Sequence, residues 1–299
     1  MRSGHLRGYS LVLVAAALWA TLGLFYELLA AYGLPPLTIV FCRAVIAALT
    51  LFLVLGWRRR DCLRLERRDW PLFVVFGLTG VAAFYAIYIY AIDLTGMGMA
   101  AVLLYTAPAW VTLFGAIFLE ERFSMLKGGA LLLACAGCAL VSRAYDLASI
   151  RLNMVGILAG LGAGLTYGLY TLFSKIARRR YTAWTTLAYA LGIGALFLLP
   201  LQSFADLAHA LTTPTLLFWL MILGLVPTLG GGLAFNTGLR FVPASNASIV
   251  ATLEPAIATL LGWAFLGERL ETLQLLGGGL ILAAVVILQR ESDNQSIGQ

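Results

Sequence analysis

Few residues in this chain have side chains that could do chemistry, and most of those sit inside long apolar runs. Glu254 adjoins Pro255 in the middle of one run, and Pro108 marks the middle of another. Arg43 interrupts a third run, and Glu27 falls at similar depth in the first. Trp19, Tyr85, Tyr88, Tyr105, Tyr167 and Tyr170 are aromatics of apolar body and polar tip, and Asn236 is an amide in an otherwise apolar setting. An intramembrane charge costs at least ~2.5 kcal/mol, so such a residue faces a cavity or a partner. Glu254 could bind an ammonium, carry a coupling proton, or be a protonated carboxyl bonded to a neighbouring helix. Arg43 could hold a carboxylate with its planar fork; the structural reading, an ion pair with Glu27, is the favoured one. The aromatic rings could stack on an apolar group or attract a cation, or simply pack helices. Asn236 contacts a ligand or joins helices.

These residues need elements to position them. The 299 residues are 61% hydrophobic and only 11% charged, with mean hydropathy +0.92. A soluble domain carries about 25% charged residues, so this chain is expected to be an all-α integral membrane protein. Ten spans are predicted: 9–32, 36–56, 71–93, 97–119, 125–143, 153–176, 183–201, 215–239, 244–266 and 271–290. Each approaches the ~20 residues that cross ~30 Å of hydrocarbon. Pro35, Pro36, Pro71, Pro214 and Pro243 stand at span starts, where a missing N–H costs little. The fifth and tenth spans lack polar groups at depth and are expected to be supporting walls. The first run is too long for a cleavable leader and reads as a signal anchor.

The net charge of +6 is distributed unevenly. With the N-terminus inside, only Arg143, Arg151 and Arg269 fall on the outer side, and Arg43 lies within a span. The positive-inside rule then puts both termini in the cytoplasm. Nucleic-acid binding is not expected, because no basic run is interleaved with aromatics. Cys42, Cys62, Cys135 and Cys138 have no disulfide or zinc spacing, and no metal or cofactor is expected. Histidines occur only as His5 and His209, and the loops are too short for a soluble active site, so an enzyme is disfavoured. No phosphate-binding loop accompanies the glycine runs 230–232 and 277–279, which allow close helix approach or hinge motion.

The chain repeats itself. Residues 108–122, PAWVTLFGAIFLEER, align without a gap on residues 255–269, PAIATLLGWAFLGER, at an offset of 147. Trp19 and Tyr167 pair near the same offset, as do Phe25 and Phe173. An odd number of spans per half predicts two inverted five-helix repeats, 1–147 and 148–299. Inverted repeats place a binding site between the halves near the midplane, which is a transporter architecture. Pro108 and Pro255 are expected to kink their helices there.

Two five-span halves, each with a P-A-x-x-T-L-x-G-x-x-F-L-x-E-R segment before its last span, resemble the drug/metabolite transporter superfamily, EamA type. Leu18-Trp19-Ala20-Thr21 and Ala234-Phe235-Asn236-Thr237-Gly238 are similar to segments of YddG-type amino-acid exporters. The resemblance implies a monomeric exporter of amino acids or related small metabolites, working by alternating access in a bacterial inner membrane. Arg43 departs from symmetry, having no basic counterpart in the seventh span. A channel or another metabolite or drug permease is the alternative. The substrate-binding set expected from the residues is Trp19, Tyr85, Tyr88, Tyr105, Tyr167, Tyr170, Asn236 and Glu254.

Overall fold

A computed structural model describes residues 2–146 and 153–297. Among these the chain is helical, without strands. Among the described residues nine helices are long and apolar enough to cross a membrane. They are α1 (Gly4–Ala31), α2 (Pro36–Arg58), α3 (Arg67–Thr95), α4 (Met97–Phe118), α6 (Met154–Ala177), α7 (Ala183–Leu201), α8 (Pro214–Gly238), α9 (Ala244–Leu266) and α10 (Thr272–Arg290). One shorter apolar helix, α5 (Met125–Val141), has 17 residues. The fifth expected span, 125–143, is therefore present as a helix, but a shorter one. Arg151 and the expected repeat boundary at 147–148 lie outside the described residues.

Helix starts follow local chemistry. Ser124 accepts a hydrogen bond from the Lys127 N–H at the head of α5, and Asn153 accepts from Val155 and Gly156 at the head of α6. Thr182 does the same for Thr185 at α7. These side chains satisfy backbone donors that the first turn leaves open.

Two ends can be told apart. At the basic end, interhelical ties are dense. The Lys175 ammonium donates to the carbonyls of Leu239 (2.5 Å) and Val242 (2.6 Å). The Arg178 Nε donates to the Asn236 carbonyl, and the Asn246 amide donates to the Tyr9 hydroxyl. Tyr181 donates to Asp69 at 2.6 Å. Burial, and then that bond, push the Tyr181 phenol above its ordinary pKa. At the opposite end, Arg143 pairs with Glu271 at 3.0 Å, and His209 meets the Tyr32 carbonyl at 3.2 Å.

Small residues set the closest crossings. A Cβ on Gly137 of α5 would fall 2.6 Å from the Gly277 carbonyl of α10, and one on Gly277 would fall 2.7 Å from the Gly137 carbonyl. The two helices thus meet backbone to backbone, as small residues permit in a bilayer. A Cβ on Gly164 of α6 would lie 2.5 Å from Thr106 Oγ1 of α4. That contact holds α6 against the point where α4 is broken.

Candidate functional site

Four helices are interrupted near their middles, at places related by the sequence repeat. The helical run of α4 stops at Leu104, turns through Tyr105 and Thr106, and resumes at Ala107. In α9 it stops at Ala251, turns at Thr252, and resumes at Leu253. Tyr105 and Thr252 are mates at the 147-residue offset. Pro108 and Pro255 follow each break, where a proline lacking its N–H begins a helical segment without penalty. Thr112 and Thr259, also mates, donate to the carbonyls of these two prolines. In α3 and α8 the interruption is a π-helical stretch, Phe76–Ala83 and Gly224–Gly230. These again fall in matching parts of the two halves. Such stretches occur frequently at functional sites.

Glu254 projects from the second segment of α9 and is half-buried. It acts electrostatically on Tyr88 of α3, Tyr105 of α4, Tyr167 of α6 and Arg43 of α2. Groups from four other helices thus surround it, and it faces the bundle interior. Tyr85, Tyr88, Tyr105 and Tyr167 are half-buried as well.

The aromatics form a connected layer. Tyr88 stacks on Phe84 with ring centres 6.1 Å apart, and Phe84 stacks on Tyr167 at 5.2 Å. Tyr167 stacks on Tyr170 at 6.4 Å. Tyr170 meets Phe76 edge-on at 5.4 Å and Phe235 at 6.3 Å. Phe235 in turn meets Trp19 at 5.1 Å. Trp19 stands just before a break in α1 at Thr21, with its indole against Gly231, where a Cβ would come within 2.6 Å of Nε1. Phe76, Phe84 and Phe235 were not legible in the sequence, because a phenylalanine in an apolar run carries no signal of what it faces.

Asn236 is brought to this layer but turned into packing. It is 1% exposed, and its amide donates to the Gly232 carbonyl (2.9 Å) and the Tyr170 hydroxyl (3.3 Å). Asn236 and Tyr170 therefore form the floor of the site toward the basic end.

The expected ion pair between Glu27 and Arg43 is corrected by the structure. Glu27 is exposed and lines a surface cavity of about 380 Å³ with Leu24, Leu28, Phe265 and Leu266. Tyr26 meets Arg43, and Glu27, the next residue and about 100° further round the helix, is exposed. Arg43 itself is 4% exposed. Its guanidinium lies over the Tyr85 ring at 4.6 Å and the Tyr26 ring at 5.9 Å, and donates to Thr228 Oγ1 at 3.4 Å. Its Nε has no hydrogen-bond partner.

The chain's similarities agree with this architecture. The pattern of the EamA-like transporter family matches it twice, over residues 6–143 and 154–290. It is 33% identical over 285 residues to an uncharacterized transporter of Archaeoglobus fulgidus, covering 95% of this chain and 97% of the other. A protein of Streptantibioticus cattleyicolor, described as a probable terminal-alkyne amino-acid exporter, is 28% identical over 269 residues, 87% of this chain and 86% of its own. A pseudopaline exporter of Pseudomonas aeruginosa is 29% identical over 263 residues, covering 86% of this chain and 87% of its own. A crystal structure with 20% identity superimposes with a TM-score of 0.77 over 97% of this chain and 98% of that one, and so shares the fold. With its family pattern matched over both halves and a relative one-third identical along nearly its whole length, the chain is a multi-pass membrane protein that belongs to the EamA-like transporter family.

Proposed function

We propose that this chain is a secondary-type transporter that exports amino acids or related small metabolites across a bacterial cytoplasmic membrane by alternating access. It works as a monomer of ten spans, with α5 as the short fifth and both termini cytoplasmic. The two inverted repeats, 1–147 and 148–299, rock about a central cavity. That cavity is formed by Glu254, Arg43 and the aromatic layer, with the basic end on the inside. Relatives described as exporters of a terminal-alkyne amino acid and of pseudopaline support the substrate class.

One observation carries the reading. Glu120 and Gly267 are repeat mates, and both take the left-handed backbone conformation, with φ of 58° and 70°. Each ends its helix with the next amide folded back six residues. Glu121 N–H donates to Gly115 O at 3.0 Å, and Glu268 N–H donates to Gly262 O at 3.3 Å. The same wide closing turn is thus made twice, at equivalent places. It aims two equivalent carboxylates, of which only one is engaged among the described residues. Glu121 accepts from the backbone N–H groups of Ala244 (2.5 Å) and Ser245 (3.1 Å) and from the Ser245 hydroxyl, capping the start of α9 at the basic end. Glu268 is exposed and folded over Gly262. The mates of Ala244 and Ser245 are Met97 and Gly98, at the start of α4.

Alternating access follows as an exchange of caps. With Glu121 engaged, the basic end is closed. Closing the opposite end would bring the Met97 and Gly98 N–H groups to Glu268 and release α9 from Glu121. A carboxylate on a helix N-terminus makes charge-assisted hydrogen bonds favoured by the helix dipole. One such cap in either state keeps the two states close in free energy, as a carrier requires. The test is uptake by liposomes containing the purified protein, across a panel of amino acids at defined pH on both sides. Protein-dependent uptake of at least one is expected, and uptake equal to that of empty liposomes across the panel would refute the substrate class.

A further inference from the structure

Arg43 is a buried cation without a paired anion. Among the described residues its polar partners are neutral, the Thr228 hydroxyl and the Tyr26 phenol, its Nε has none, and it makes no ion pair with a carboxylate. Removing a guanidinium from water costs several kcal/mol unless an anion and further hydrogen bonds compensate. The Tyr85 ring at 4.6 Å attracts the cation without neutralising it. Thr228 spends its own proton on the Leu223 carbonyl at the head of the π-helical stretch of α8. The arrangement holds Arg43 in place and leaves it without an ion pair among the described residues. Glu254 interacts with it electrostatically without forming an ion pair, and it also faces Tyr88, Tyr105 and Tyr167.

Resting on the amino-acid reading above, we propose that Arg43 binds the carboxylate of the substrate, so that the cargo is an amphoteric molecule held between Arg43 and Glu254. The planar guanidinium offers two parallel N–H donors to a carboxylate, a geometry that a lysine could not supply. Glu254 takes the ammonium. The side chain lies along the edge of the aromatic layer beside Tyr88 and Tyr167, a surface tolerant of different apolar groups. The same two charges reject near neighbours. A simple amine would face Arg43 with nothing to offer it, and a simple carboxylic acid would face Glu254 with like charge. Each would leave one buried charge unpaired, which is the costly outcome.

The test uses detergent-purified full-length protein and three probes of one shape: phenylalanine, phenethylamine and 3-phenylpropionate. Phenylalanine is expected to bind at least about tenfold tighter than either analogue, since a buried charge left unpaired discriminates strongly. Arg43→Gln should remove the preference of phenylalanine over phenethylamine while leaving the affinity for the amine. Arg43→Lys should restore part of it, and it carries the test if the glutamine variant does not fold. Phenethylamine binding as tightly as phenylalanine to the native protein would overturn the proposal. So would a preference unchanged in both Arg43 variants. Binding of none of the three would overturn it too, while cap exchange between Glu121 and Glu268, read by cross-linking, would stand or fall separately.

Discussion

The carboxylate of Glu121 accepts the backbone N–H of Ala244 at 2.5 Å, bridging the end of α4 to the beginning of α9 across the boundary between the two halves of the chain. Removing that acceptor charge weakens the cap that closes the basic end. Glu121→Gln should therefore raise the reactivity of a cysteine placed at Ser174, buried on α6 toward the basic end, to an impermeant thiol reagent applied from the cytoplasmic side. A change of about fivefold corresponds to 1 kcal/mol, the ordinary size of a capping effect. Glu268→Gln should move the same reactivity down, because it weakens the competing state. Equal responses to the two substitutions would contradict the exchange of caps.

Glu120 holds φ 58°, where its mate is a glycine with φ 70°. A side chain in the left-handed region costs about 1 kcal/mol relative to glycine. Glu120→Gly is expected to raise the unfolding temperature in detergent and to preserve transport. Gly267→Val should lower stability by about 1–3 kcal/mol, since a branched side chain in this region is strained. A lower unfolding temperature for Glu120→Gly would show that the Glu120 side chain has a role beyond the turn.

The reciprocal approach of Gly137 and Gly277 separates support from site. Gly137→Val would drive a side chain into the Gly277 carbonyl, so it should lower thermal stability while leaving the substrate selectivity of the folded fraction unchanged. Glu254→Gln and Tyr167→Ala should behave in the opposite way, reducing transport with folded protein still in the membrane. Full transport by the double variant would remove both residues from the site.

Topology gives an independent check. A single reactive cysteine at position 296 should be labelled by an impermeant reagent only after the cells are opened, because sixteen of the twenty Lys and Arg fall on the side assigned to the cytoplasm. Labelling in intact cells would invert the assignment and with it the sense of the two gates.

Much of this architecture is legible before folding, because bilayer thickness dictates run length and duplication dictates which positions correspond. The expected helix ends at 183–201 and 244–266 coincide with Ala183–Leu201 and Ala244–Leu266. Pro108 and Pro255 were marked by the repeat, as were Glu121 and Glu268, though the repeat alone did not say what the carboxylates hold. The missing pieces depend on three-dimensional phase. Whether Tyr26 or Glu27 meets Arg43 depends on the rotation of α1, which an apolar run does not announce. The π-helical stretches in α3 and α8 arise from packing, and their side-chain spacing has no simple sequence period. Phe84 and Phe235 became part of the aromatic layer only when α3, α6, α8 and α1 came together.

The most direct test of the central claim is transport by protein cross-linked at one end or the other. Cysteines at Arg122 and Phe241 flank the Glu121 cap at the basic end, and their repeat mates, Arg269 and Leu94, flank the Glu268 position at the opposite end. A cleavable bifunctional thiol reagent would lock either pair. In liposomes, either lock should stop amino-acid transport, cleavage should restore it, and no single molecule should carry both locks at once. Transport continuing at the native rate with either end locked, or molecules locked at both ends together, would contradict alternating access in this chain.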